Sequence, residues 1–176
     1  MKYLRRLIWY VSTRLMVLVA VLGLITMAFY FSMNATNIYV ILKDGMAKRA
    51  QTVMMGAEED LSKYFAPAYL QRDPLLLQAQ RGESPYQNCY TITGFDHRIN
   101  IDWVWCWPWE DTARATVTER IPAIDGRMKP SAREEVNALG WSSTPKWQNA
   151  QYSVVLSREN GQWRVKNLTL IKSLDE

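Results

Sequence analysis

The chain has 176 residues, 48% hydrophobic and 12% aromatic, which supports one ordinary domain plus an accessory segment and excludes a disordered protein. Its formal net charge of +4 resides in the first 33 residues, where Lys2, Arg5, Arg6 and Arg14 stand without any acid; with those four set apart from the 21 lysines and arginines, the rest balance the 17 acids. That neutral remainder offers no basic patch for nucleic acid, and a single histidine excludes a histidine-built zinc centre.

Leu15 to Met33 carries no charge. As a helix rising about 1.5 Å per residue it covers about 28 Å, close to the hydrocarbon thickness of a bilayer. A cleaved signal peptide would have a shorter apolar run ending at small residues, whereas Phe29, Tyr30, Phe31 and Met33 close this one. The expectation is a transmembrane helix over 15–33. The positive-inside rule leaves residues 1–14 in the cytoplasm and places everything beyond the span on the far side. Residues 34–45 read as a juxtamembrane segment and 46–176 as the extracytoplasmic domain.

Within that domain Met46, Ala50, Val53, Ala57, Leu61, Tyr64 and Phe65 recur at three- and four-residue steps and predict an amphipathic helix that Pro67 ends. Glu58, Glu59 and Asp60 form an acidic run that reads as its solvated face. Asp73 is a good N-cap, Pro74 suits the first helical position and Gly82 is a stop, so a second helix is expected between them. From Tyr86 the period changes to two. Phe95, Ile99, Ile101, Trp103 and Trp105 alternate with Asp96, Arg98, Asn100 and Asp102, which predicts one long strand with one wet face. Pro108 to Asp111 reads as a turn, and Ala113, Ala115, Val117 and Ile121 mark the inner face of a return strand.

Residues 122–148 form a long connection in which Asp125-Gly126 signals a turn and Ser131 with Glu134 signals a capping box for a short helix closed by Gly140. Beyond it, two strand-like runs flank Asn160-Gly161, the dipeptide suited to a type I′ hairpin turn.

The stretch Tyr152-Ser-Val-Val-Leu followed by Arg158-Glu-Asn-Gly-Gln-Trp163-Arg-Val165, closing an order of helices, two strands and a long connection, resembles the nuclear transport factor 2-like superfamily, the fold shared with ketosteroid isomerase. The resemblance implies an α+β fold: an N-terminal transmembrane helix followed by a cone-shaped domain of N-terminal helices packed on a curved antiparallel sheet. Membrane-anchored relatives include assembly components of bacterial type IV secretion and conjugation machines, which makes protein partners or a homo-oligomer, together with the membrane itself, the expected company.

No catalytic, metal or cofactor set is assigned. The isomerase pattern of one tyrosine and two carboxylates has no residue-by-residue match, and the glycines lack phosphate-loop or nucleophile-elbow spacing. His97 shares a strand face with the apolar positions and would point into a cone cavity, with no second titratable group placed beside it. Trp103, Trp105 and Trp107 project from one side by alternation and are read mainly as core of the concave face. A ligand-stacking wall and an interfacial belt are the alternatives. His97, Trp103, Trp105 and Trp107 are therefore the candidate ligand-binding residues. Cys89 and Cys106 permit a disulfide or serve as two small buried hydrophobes. The functional expectation is a docking or assembly module of a cell-envelope complex (secretion, conjugation or sporulation), and not an enzyme; the alternative is a small-ligand binder or enzyme using an aromatic-lined cavity.

Overall fold

A computed structural model describes residues 2–57, 60–138, 140–141 and 143–174. The chain is α+β, with a long N-terminal apolar helix and two antiparallel sheets. Helix α1, Lys2–Met55, runs without interruption through the apolar stretch, the segment 34–45 and most of the expected amphipathic helix. The juxtamembrane segment is therefore no separate element. The reason is compositional: neither glycine nor proline breaks residues 24–44, and Thr26 and Thr36 turn their hydroxyls back onto the carbonyls four residues earlier.

Along α1 the surroundings change from solvent-exposed to fully packed. Leu15, Leu18, Leu22 and Ile25 are exposed, whereas Ile38, Leu42, Met46, Ala50 and Val53 form a four- and three-step stripe buried in the domain core. Gly45 lets Tyr64 approach, since a Cβ there would lie 2.9 Å from the Tyr64 Cβ. The helix ends at Met55, well before Pro67. Gly56 adopts a φ of 68°, and its terminal carbonyls are met by Ser84 Oγ, which donates to Val53 O, and by Gln87 Nε2, which donates to Thr52 O and Val53 O. Glu58 and Glu59 of the acidic run lie outside the described residues, while Asp60 caps a 3-10 turn at Leu61–Lys63.

Short helices follow. After α2 (Pro67–Leu70), α3 (Pro74–Gln80) has Asp73 as its N-cap and Pro74 in its first turn, as the sequence indicates; α4 is Pro85–Cys89. The expected single long strand is two strands in different sheets. Strand β1 (Tyr90–Phe95) pairs with β4 (Ile124–Met128), and β2 (Arg98–Cys106) opens a four-stranded sheet of order β2-β3-β5-β6, with β3 Thr112–Arg120, β5 Ala150–Glu159 and β6 Gln162–Ser173. Asp125-Gly126 is thus strand rather than turn: Gly126 lies opposite Ile92, whose Cδ1 leaves no room for a side chain. The short helix of the connection, α5 (Arg133–Ala138), grows from a 3-10 turn at Pro130–Ala132 whose N-cap, Lys129, makes no side-chain capping bond to it, and Ser131 lies within that turn rather than capping it. The β5–β6 hairpin turns at Asn160 (φ 52°) and Gly161 (φ 79°), as the dipeptide requires. Cys89 and Cys106 are both buried, and no disulfide joins them.

Candidate functional site

The register of β2 against β3 decides where the candidate residues go. Ile99 faces Glu119 and Ile101 faces Val117, but the next pair is Trp103 with Thr116, so Asp102 is an inserted residue, a β-bulge. Its carboxylate accepts hydrogen bonds from Asn100 Nδ2 (2.7 Å), Thr118 Oγ1 (2.8 Å) and Gln151 Nε2 (2.8 Å), which pins the bulge to the outer face and holds the carboxyl below its usual range, the Gln151 and Thr118 bonds contributing most. Past the bulge the alternation changes phase. Val104 and Cys106 now face inward, opposite Ala115 and Ala113, and Trp103 and Trp105 face outward.

The expectation that these indoles line a concave core is corrected: Trp103 is 50% and Trp105 43% exposed, and Trp109 at the following turn is 69% exposed. Trp107 is half-buried. The four rings form a continuous ladder. Trp103 stacks on Trp105 (6.4 Å between centroids), Trp105 meets Trp107 edge-on (5.1 Å), and Trp107 stacks on Trp109 (5.1 Å).

His97 is separated from them. It sits in the break between β1 and β2, with only 7% of its side chain exposed, and its Nε2 lies 3.0 Å from Glu119 Oε1. Trp147 Nε1 donates to the other carboxylate oxygen at 3.4 Å. The expectation of an imidazole without a titratable neighbour is also corrected, since β3 delivers Glu119, a fully buried carboxylate, to it. His97 is a hydrogen-bonded interior residue and is not among the residues that line the cleft at Trp103, Trp105 and Trp107.

A second buried polar group went unread in the sequence. Arg49 of α1 donates through Nε to Asp73 Oδ2 (2.5 Å) and through Nη2 to Oδ1 (3.2 Å), while the Tyr69 hydroxyl donates to Oδ2 (2.7 Å). Burial acts to raise the Asp73 carboxyl, but the Arg49 charge and the bonds from Arg49, Tyr69 and the Leu76 amide outweigh it and hold the group below the usual carboxylate range. Burial pushes the Tyr69 hydroxyl up. Beside this pair lies a cleft of about 430 Å³ lined by Arg49, Arg72, Tyr152, Lys166 and Leu168. Among the described residues Arg49 Nη1 has no hydrogen-bond partner.

The ladder and α1 also meet. The Phe31 and Trp105 rings pack edge-on at 6.0 Å, the Cys106 Sγ lies 4.0 Å from Phe31 O, and Arg158 Nη2 donates to Asn34 Oδ1 at 2.7 Å. The C-terminal ends of β2 and β5 therefore lie beside the last turns of the exposed apolar stretch. Among the described residues no group of three or more metal-ligating side chains is present.

No protein-family model matches the chain, nor does any curated protein or solved structure. Among the described residues one helix, near the N-terminus, is long and apolar enough to cross a membrane.

Proposed function

We propose that this is a single-pass membrane protein whose N-terminus remains cytoplasmic and whose extracytoplasmic domain, a cone of the nuclear transport factor 2-like kind, acts as a non-catalytic docking or assembly module in a cell-envelope complex of the secretion, conjugation or sporulation type. The observation that carries the reading is the unbroken α1. Its exposed apolar half and its buried stripe belong to one rigid rod, so the domain has a fixed height and orientation relative to the span. A tethered enzyme gains nothing from that rigidity; a module that presents a surface to fixed neighbours does. The sealed His97–Glu119–Trp147 cluster supports a structural role for the histidine.

Cross-linking of the full chain in native membranes tests it. A discrete species holding a second copy or one stoichiometric partner is expected, together with a carboxyl terminus open to protease in intact cells. Recovery of monomer alone overturns the docking role, and a protected terminus overturns the orientation.

The cleft beside Arg49 favours a second reading, a site for a small carboxylate with an apolar body, because three cationic side chains, Arg49, Arg72 and Lys166, line it together with Leu75, Leu168 and Leu170. A thermal shift with a panel of small carboxylic acids, lost in Lys166→Ala, is its signature; no shift across the panel removes it.

A further inference from the structure

We infer that the indole ladder is a lipid-binding surface: Trp103, Trp105, Trp107 and Trp109 lie in the headgroup region of the same membrane that α1 crosses, and brace the domain against it. This inference rests on the reading of α1 as a membrane span. Its own ground is a juxtaposition that the span does not require, namely four linked indoles on the outer face of the sheet, held at the level where the apolar stretch ends.

The level is fixed by contacts. Phe31 lies in the last turn of the uncharged stretch that closes at Met33, and its ring packs on Trp105. Cys106 reaches the Phe31 carbonyl, and Arg158, whose backbone amide donates to Asp111 O, reaches Asn34 one residue beyond the stretch. The turn carrying Trp107 and Trp109 thus sits beside the boundary between apolar and polar helix surface. A second boundary lies at the other end of the stretch, where Trp9 and Tyr10 are exposed beside Arg5, Arg6 and Arg14. Trp9 and Tyr10 precede Leu15, the first residue of the uncharged stretch, by about one and a half turns, and that stretch covers about 28 Å, so exposed aromatic rings flank both ends of one apolar layer.

The chemistry of the face fits headgroups better than water or hydrocarbon. Indole carries a large apolar body with one N–H donor, the combination that settles at the bilayer interface. The charged groups around the ladder include Arg114 and Asp102 on the same face and Glu110 and Asp111 in the turn, all exposed, and they do not add up to a cationic patch. The attraction is therefore interfacial partitioning of indole rather than recognition of anionic lipid, and it operates in a purely zwitterionic bilayer. The Asp102 bulge is what makes the face: were Asp102 paired regularly in the ladder instead of bulged, Trp103 and Trp105 would turn inward and Val104 outward.

The test uses the full chain carrying Trp9→Phe, reconstituted in phosphatidylcholine vesicles in which part of the lipid is brominated near the carbonyl end of the acyl chain. Trp147 and Trp163 are buried in the domain and Trp141 is half-buried against its core, so lipid-accessible emission then comes chiefly from the ladder. Shallow bromolipid is expected to reduce emission about twofold, with deeply brominated lipid less effective, and the quenching is expected to disappear when the four ladder residues are replaced by phenylalanine. The same vesicles are washed in carbonate. Protein that stays in the membrane while its emission responds to aqueous acrylamide and not to shallow bromolipid overturns the ladder's role alone and leaves the face open to a protein. Protein that washes free overturns the span and, with it, this inference. The Trp9→Phe measurement stands even if the four-phenylalanine variant fails to fold.

Discussion

Glu119 follows Ala113, Ala115 and Val117 on the inner face of β3, where a lone carboxylate would be prohibitively costly to bury. It is tolerated because His97 and Trp147 supply its partners. Glu119→Ala should lower stability by about 2 to 4 kcal/mol, since it strips hydrogen bonds from two buried ring nitrogens. Glu119→Gln, which keeps an acceptor, should cost distinctly less in urea titrations of the detergent-solubilised full chain; equal losses would show that cavity formation, not hydrogen bonding, dominates. Asp73 makes a pH statement. Its folded-state pKa lies below the unfolded value of about 3.9, so its contribution is complete above that pH and is lost as acidification passes through the depressed value. Stability should therefore fall below about pH 4, and Asp73→Asn should flatten that part of the curve while lowering the plateau. The sequence disclosed Asp73 as a cap and not as the partner of Arg49, because the pairing joins α1 to the start of α3 across 24 residues and only the packing of those helices creates it. Glu119 did leave a signal: a charge in phase with buried alanines and valine, in a strand where every other inward position is apolar.

In α1 two opposing effects meet at Gly45. Alanine is worth about 1 kcal/mol more than glycine inside a helix, yet its Cβ would press on Tyr64 Cβ at 2.9 Å, a backbone-fixed atom that cannot swing away. Overpacking of this kind typically costs about 1 to 3 kcal/mol, so Gly45→Ala should be destabilising despite its propensity, and a raised melting temperature would show that α1 and the Tyr64 segment separate easily. The elements the sequence displayed well are those written in local chemistry: the Asn160-Gly161 hairpin, α3 between Asp73 and Gly82, and the alternation of β3. Strand β2 was misread for a reason visible in its own letters. Trp103-Val104-Trp105-Cys106 is apolar in both phases, so the pattern is equally satisfied whichever set points inward, and the choice falls to one inserted residue whose partners, Thr118 and Gln151, lie on other strands. The Asp125-Gly126 strand was hidden likewise, since it becomes a strand only by pairing with β1.

A single rod joining an apolar span to a folded core distinguishes this molecule from a domain on a flexible leash. The core stripe begins at Ile38, and the contacts that tie the ladder end of the sheet to α1 lie at Phe31 and Asn34, so the junction between them can be altered without touching the stripe. Two alanines inserted after Thr36 keep the helix intact but turn everything before them by about 200° and lengthen the rod by about 3 Å. Phe31 then faces away from Trp105 and Asn34 away from Arg158, while Ile38, Leu42 and Met46 keep their places. In the proposed assembly role, where neighbours are met in one orientation, cross-linking yield in native membranes should fall several-fold, with the thermal unfolding of the domain shifted only by the loss of those two contacts. An insertion of four alanines, which restores the rotation to within about 40° but raises the domain by about 6 Å, separates the two variables. Recovery of cross-linking with four and not with two identifies facing as the requirement, loss with both identifies height, and an undiminished yield with both would mean that the rod is a tether after all and that the reading built on its rigidity fails.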